Sequence, residues 1–221
     1  MSIILSKGTQ TTIKSATGTP VMNLTVGAQW GMINKMGLPE VKNGFLSKLL
    51  NKASEVTGQL EAVDLDLSII MYDANKRKVG ECAFYSKNAL NGAVLHSGDD
   101  RSGDASDDLL DNERIQFKGL EVAKTSVQTA VVVLNSFSHQ KFDEIPFIRL
   151  AIYDGLYSLS EKAPRLMEFD LTNDKSFVGA EAVVLARLDK TNSGWAVTAI
   201  ADAGRESSIA ALDSLIQSKY L

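Results

Sequence analysis

Residues 64–72 read DLDLSIIMY, and their first six positions alternate polar and apolar: Asp64, Asp66 and Ser68 against Leu65, Leu67 and Ile69. Successive side chains of a strand point to opposite faces, so a period of two predicts a strand with one face packed inward. The other face then carries two carboxylates and a hydroxyl. Asp64 and Asp66 stand roughly 7 Å apart on that face, at about 3.3 Å of rise per residue. Two carboxylates that close repel unless water or a cation lies between them.

Working outward, similar short runs recur along the chain. They are residues 21–28 (VMNLTVGA), 81–85 (ECAFY), 126–135 (SVQTAVVVLN), 147–153 (FIRLAIY), 166–171, 180–188 (AEAVVLARL) and 195–201 (WAVTAIA). Turn-forming clusters separate them at 73–76 (DANK), 91–92 (NG) and 192–194 (NSG). Many short strands punctuated by such turns predict a mainly β fold, an antiparallel β-sandwich with a few short helices. One helix is the C-terminus, SSIAALDSLIQSKYL, where Ile209, Leu212, Leu215 or Ile216, and Tyr220 recur at helical spacing behind a Ser207 or Ser208 cap. Residues 34–60 are rich in Lys and Asn, with Leu46, Leu49, Leu50 and Ala53 at helical spacing, and read as an insertion with some helix. The expected organisation is a sandwich over 1–205, carrying the 34–60 insertion, followed by a helix over 206–221.

A chain of 221 residues with 44% hydrophobic and 23% charged residues is long enough for a substantial core. A sequence pI near 5.3 argues against nucleic-acid binding, which usually needs a basic patch. The chain has no apolar run of about 18 residues, so no membrane span is expected, although peripheral association with a membrane stays open. Cys82 is alone, which excludes an intrachain disulfide and fits a cytoplasmic protein.

Residues 98–113, GDDRSGDASDDLLDNE, hold seven carboxylates against one arginine, a local charge of −6 in a chain whose net charge is −4. Everything else therefore sums to about +2. Asp-rich turns with glycine pivots present hard oxygen ligands to calcium. The EF-hand template nevertheless fails: counting from Asp100 places Ala105 where Gly is needed and Asp111 where Glu is needed. Carboxylate and amide oxygens without clustered Cys or His favour a hard cation, and a Gly/Ser/Asp loop suits calcium better than octahedral magnesium.

These residues carry a resemblance. The stretch Leu95-His96-Ser97-Gly98-Asp99-Asp100-Arg101-Ser102-Gly103, ending in Asp111-Asn112-Glu113-Arg114-Ile115, resembles the TerD family motif, approximately HSGDNxTGxGxGDDExI. Asp64-Leu65-Asp66 resembles the family's DLDA segment, Lys7-Gly8 its KG, Val26-Gly27 with Trp30 its VGxxW, residues 147–150 its FIRL, and Trp195 after Asn192 its NGxW. The likeness runs in consistent order over residues 1–205. It implies a noncatalytic calcium-binding β-sandwich of the bacterial tellurite-resistance and stress response, working with other proteins in an assembly. It implies calcium ligands from Asp64, Asp66, Asp99, Asp100, Asp111, Asn112 and Glu113 and main-chain carbonyls near Arg101 and Gly103, and strand and loop together supply oxygens enough for two ions. Three departures stand out: Asp100 replaces asparagine, DNE replaces DDE, and about three extra residues separate Gly103 from Asp111, leaving Asp104, Asp107 and Asp108 without a counterpart.

The remaining chemistry-bearing residues read as structural. His96 abuts the acidic loop and is expected to hold its turn, while Cys82, Trp30, Trp195 and Phe147 read as core. No G-x-S-x-G elbow supports a Ser-His-Asp triad, so no catalytic residue is assigned. The rival readings are a metal-dependent hydrolase using the Asp cluster, and an interaction module in which calcium is purely structural. Asp64-x-Asp66 does not end a buried parallel strand, and the residues before it (QLEAV) are too polar for one.

Overall fold

The computed structural model describes residues 3–4, 10–12, 14–15, 18–19, 21–35, 59–172, 174–206 and 208–221. Its strands are β1 (Ile3–Ile4), β2 (Gln10–Thr12), β3 (Leu24–Trp30), β4 (Ile33–Asn34), β5 (Leu60–Glu61), β6 (Leu65–Tyr72), β7 (Lys78–Cys82), β8 (Asn88–Ala89), β9 (Val94–His96), β10 (Glu113–Phe117), β11 (Thr129–Ser136), β12 (Ile148–Asp154), β13 (Arg165–Asp170), β14 (Ala182–Thr191) and β15 (Gly194–Gly204). Two helices accompany them, α1 (Gly119–Val122) and α2 (Ile209–Lys219).

The strands form a seven-stranded sheet, β1-β13-β12-β3-β10-β9-β8, and a six-stranded sheet, β2-β15-β14-β11-β6-β7. Among the described residues every pairing between these strands is antiparallel except that of β1 with β13. This is the predicted antiparallel sandwich. Its core lies between the sheets, where Leu24, Val26, Ala28 and Trp30 of β3 and Ile115 and Phe117 of β10 share one cluster with Leu65, Leu67, Ile69 and Met71 of β6.

The even residues of β6 explain why the 64–72 alternation fades after Ser68. Ile70 and Tyr72 face away from the inter-sheet core but are buried all the same, with Val131, Val133, Leu212 and Ile216. Helix α2 lies over that face, so both sides of β6 are dry there and both take apolar residues. Ser208 Oγ caps α2 by accepting the Ala211 N–H at 3.3 Å. Each fully buried Leu or Ile of this seam is worth about 1.5–3 kcal/mol of transfer free energy.

Two sequence expectations change in detail. The 81–85 run is not strand throughout: β7 stops at Cys82, opposite Ile69, and Ala83 and Ser86 then exchange N–H···O bonds of 3.3 and 2.9 Å. Phe84 and Tyr85 form the tip of that tight turn. Strand β10, read in sequence as the end of the acidic loop, is instead an interior strand between β3 and β9. Of the 34–60 insertion, the ends pair as Ile33↔Glu61 and Asn34↔Leu60, whereas residues 36–58, with the expected helix, lie outside the described residues, as do Lys7 and Gly8.

Candidate metal centre

The site is built at the start of β6. Carboxylate oxygens of Asp64, Asp66 and Asp99 lie within 4.8 Å of one another. Strand geometry brings the first two to one face, and the turn after β9 brings the third. Asp66 is buried and Asp99 exposed, so the cluster opens to solvent on the Asp99 side. Arg101 approaches from that side, Nε 3.9 Å from Asp64 Oδ2, with a largely exposed side chain. Burial pushes the Asp66 carboxyl up to about 8, helped by the charges of Glu113, Asp64 and Asp99 and opposed by a hydrogen bond from Asn135. Burial also raises Asp64, with Asp99 adding to it and Arg101 opposing. Ser68 Oγ, on the same face as Asp66, is buried with no hydrogen-bond partner.

Glu113 reaches across from β10. Its Oε2 accepts the Leu67 N–H at 2.9 Å and its Oε1 the Asp100 N–H at 3.2 Å. His96 Nδ1 accepts the Gly98 N–H at 3.0 Å, which leaves the ring proton on Nε2, 3.1 Å from the Leu67 carbonyl. The two side chains satisfy the edge of β6 where β7 has already ended, and they tie that edge to the loop. Burial raises Glu113 against the opposing bonds from His96, Leu67 and Asp100. His96 thus holds the turn, as its position suggested.

Asp100 and Asn112 organise the loop. Asp100 Oδ1 accepts from Ser102 N, Ser102 Oγ and Gly103 N at 2.8–3.1 Å, and its Oδ2 accepts from Asn112 Nδ2 at 3.1 Å. Burial works to raise Asp100, but these bonds together hold it below the usual carboxylate range. Asn112 Oδ1 accepts the Trp30 N–H at 2.8 Å. Gly103 sits at φ +76° with Trp30 Cδ1 2.8 Å from where a β-carbon would stand, so a larger residue would be both strained and crowded.

Asp111 does not join the cluster. It lies on the outer face of the seven-stranded sheet, over Gly27, whose β-carbon would be 2.2 Å from Asp111 Oδ2. That oxygen accepts from Arg114 Nε at 2.6 Å and Tyr153 Oη at 2.7 Å, in a buried pair. Asp107 pairs in the same way with Arg149 Nη1 at 2.6 Å, beside Gln29. The second half of the loop therefore folds across β3 and spends two carboxylates on arginines of β10 and β12. Asp104 stays between the halves, pushed up to about 7 by burial and by Asp108 and Asp100, with Gln29 and Asn112 opposing. Asp100, Asp104, Asp108 and Asp111 line an open cavity of about 700 Å3, closed on its far side by Tyr157 and residues 158–160.

Of the seven residues picked out in the sequence, the structure gathers Asp64, Asp66 and Asp99 directly. It places Glu113 within electrostatic reach of both Asp64 and Asp66, uses Asp100 and Asn112 to shape the loop, and sets Asp111 apart. Sequence reasoning missed the clasp on Leu67 and the aromatic residues beside the cluster, because neither follows from local periodicity. The donor set is all oxygen, includes two buried aspartates, Asp64 and Asp66, and is open on the Asp99 side, which fits a hard divalent cation that retains outside ligands.

Fold and site together define an antiparallel β-sandwich with an acidic, all-oxygen cluster where strand β6 meets a Gly/Asp loop. The chain belongs to the TerD family: the family model described as TerD domain matches residues 1–214. It is 23% identical over 212 residues to a tellurium resistance protein TerZ of Serratia marcescens, covering 96% of each chain. Its fold is similar to a crystal structure of a protein of unknown function, SAV2460, with a TM-score of 0.59 at 14% identity, covering 86% of this chain and 94% of that one.

Proposed function

We propose that this chain is a noncatalytic calcium-binding protein, acting in the cytoplasm with other proteins of a tellurite-resistance and stress response. The observation that carries the calcium reading is the convergence of Asp64, Asp66 and Asp99 within 4.8 Å, the first two buried, with Arg101 approaching Asp64 from the exposed side. Those three carboxylates would hold the ion, and Glu113 would act through position, since backbone N–H groups occupy both of its oxygens. Support for the stress role comes from membership of the TerD family and from the TerZ relative's description as a tellurium resistance protein. Calcium bound there would tie the acidic turn to β6 and relieve the mutual repulsion of the carboxylates.

Calorimetric titration of chelator-treated protein tests this reading. Calcium is expected to bind saturably and magnesium more weakly, with binding lost in Asp66→Asn and kept in Asp107→Asn, whose carboxylate belongs to Arg149. Absence of calcium binding, or binding indifferent to Asp66→Asn, sinks the calcium reading. The stoichiometry reports how many ions bind; the cluster accounts for one of the two expected from the oxygens of strand and loop. Phosphoester turnover that disappears in Asp66→Asn would overturn the noncatalytic assignment.

A further inference from the structure

A two-residue turn tip is ordinarily built from Gly, Asn or Asp, which meet the backbone geometry and the water at little cost. After β7 the tip residues are Phe84 and Tyr85. The Phe84 ring meets Tyr85 edge-on at 5.1 Å and, on the neighbouring loop after β11, Phe137 at 6.0 Å. Tyr85 is 53% exposed and Phe137 59% exposed. Single exposed apolar residues are ordinary, but three rings joined through Phe84 on two adjoining loop tips form a patch.

The patch borders the metal cluster. The Phe137 N–H donates to the Asp64 carbonyl at 2.9 Å, and Tyr85 Oη donates to Glu81 at 2.8 Å while lying within electrostatic reach of Asp66. Exposed cations flank the same edge: Arg101 beside Asp64, and Lys87, whose carbonyl accepts the His96 N–H. One oxygen from each of the three carboxylates leaves several of calcium's six to eight positions for other donors, and Asp99 marks the open side.

We propose that this edge docks on an anionic lipid bilayer: the Tyr85 and Phe137 rings enter the headgroup layer, Lys87 and Arg101 meet lipid phosphates, and calcium held by Asp64, Asp66 and Asp99 is shared with a headgroup oxygen. The proposal rests on the calcium reading above. Charge complementarity and shape select the lipid occupant. Phenolic and phenyl rings on protruding tips suit the membrane interface, whereas a protein interface of ordinary size needs a broader continuous face. Flanking Lys and Arg contribute attraction to anionic lipid, and a bridging cation converts the acid cluster from a repulsive to an attractive element.

The test is co-sedimentation of the full chain with phosphatidylcholine vesicles made with and without phosphatidylserine, in calcium and in chelator. Wild-type protein is expected to pellet only with phosphatidylserine and calcium together. The double variant Tyr85→Ser, Phe137→Ser and the charge-reversed pair Lys87→Glu, Arg101→Glu should each weaken partitioning about tenfold or more. Leu120→Ser, an exposed apolar residue on α1, should leave it unchanged. No pelleting of the wild type, pelleting indifferent to calcium, or full pelleting by both variant pairs overturns the proposal. Calorimetry on the same samples separates the two failures: calcium uptake without pelleting removes the docking alone, while no uptake removes the calcium reading and the docking with it. A vesicle-free dimer abolished by Tyr85→Ser, Phe137→Ser would assign the patch to a second copy and also overturn it.

Discussion

His96 and Glu113 grip the backbone of the same residue: Glu113 Oε2 takes the Leu67 N–H at 2.9 Å, His96 Nε2 lies 3.1 Å from the Leu67 carbonyl, and the two side chains are 3.4 Å apart. Side chains of the seven-stranded sheet thereby complete the edge of the six-stranded one. Because backbone N–H groups of Leu67 and Asp100 address both carboxylate oxygens, Glu113→Gln must turn an NH2 toward one donor. Leaving a buried donor unpaired costs about 1–3 kcal/mol, so urea unfolding in chelator should show a loss of that order. A change below about 0.5 kcal/mol, the range of ordinary surface substitutions, would mean the clasp is not structural.

The second prediction concerns pH. Asp66 is held up at about 8, far above its ordinary 3.8, by burial first and by neighbouring carboxylates second. The folded state therefore keeps a proton that the unfolded chain has released, and the stability linked to it is fully present below about 4 and lost as pH rises through about 8. In chelator the melting temperature should fall between pH 5 and pH 8, and Asp66→Asn should flatten that slope. Calcium competes with the proton, so its affinity should rise over the same interval. Saturation to about a hundred times Kd adds roughly 2.7 kcal/mol, or roughly 5–10 °C in a chain of this size. Thermal melts across pH, with and without calcium, check both; a slope unchanged by Asp66→Asn would reject the assignment.

How much of this was legible beforehand depends on range. The period-two runs gave most long strands, because alternation is a local property, and Asp64 and Asp66 could be placed on one face for the same reason. Strand β10 was hidden because Glu113 and Arg114 look like loop residues until their partners are known. The sequence left Asp104, Asp107 and Asp108 without a role. Asp107 is neutralised by Arg149, 42 positions away, a pairing no window of sequence displays. Asp111 with Arg114 was readable as an i,i+3 pair, but its position over Gly27 was not.

That position yields a double-mutant prediction. Asp111→Ala strands the Arg114 guanidinium, which is almost wholly buried and keeps the Ser158 and Glu161 carbonyls and the Tyr153 ring but no buried carboxylate, at a cost of about 3–5 kcal/mol. Gly27→Ala puts a β-carbon 2.2 Å from the same Asp111 oxygen and should displace it, for a comparable loss. Both changes break one contact, so the double variant should be little worse than Asp111→Ala alone. Full additivity in denaturant unfolding would show that Gly27 acts elsewhere.

Helix α2 supplies the last prediction. Leu212 and Ile216 are fully buried against Ile70, Tyr72, Val131 and Val133 on the outer face of the six-stranded sheet, and Tyr72 Oη donates to Asp213 at 2.7 Å. Leu212→Ala should therefore cost about 2–5 kcal/mol, as for other buried leucines. Removing residues 206–221 should do more than destabilise. It uncovers a contiguous apolar face on three adjacent strands, β6, β11 and β14, and should cause self-association visible by light scattering. Asp64 and Asp66 sit at the opposite end of β6 from Ile70 and Tyr72, and no residue of α2 touches the cluster among the described contacts. Calcium affinity of folded Leu212→Ala protein should accordingly match wild type within about twofold, below 1 kcal/mol of coupling. A larger loss would make the helix part of the metal centre's support, and β6 the element that transmits it.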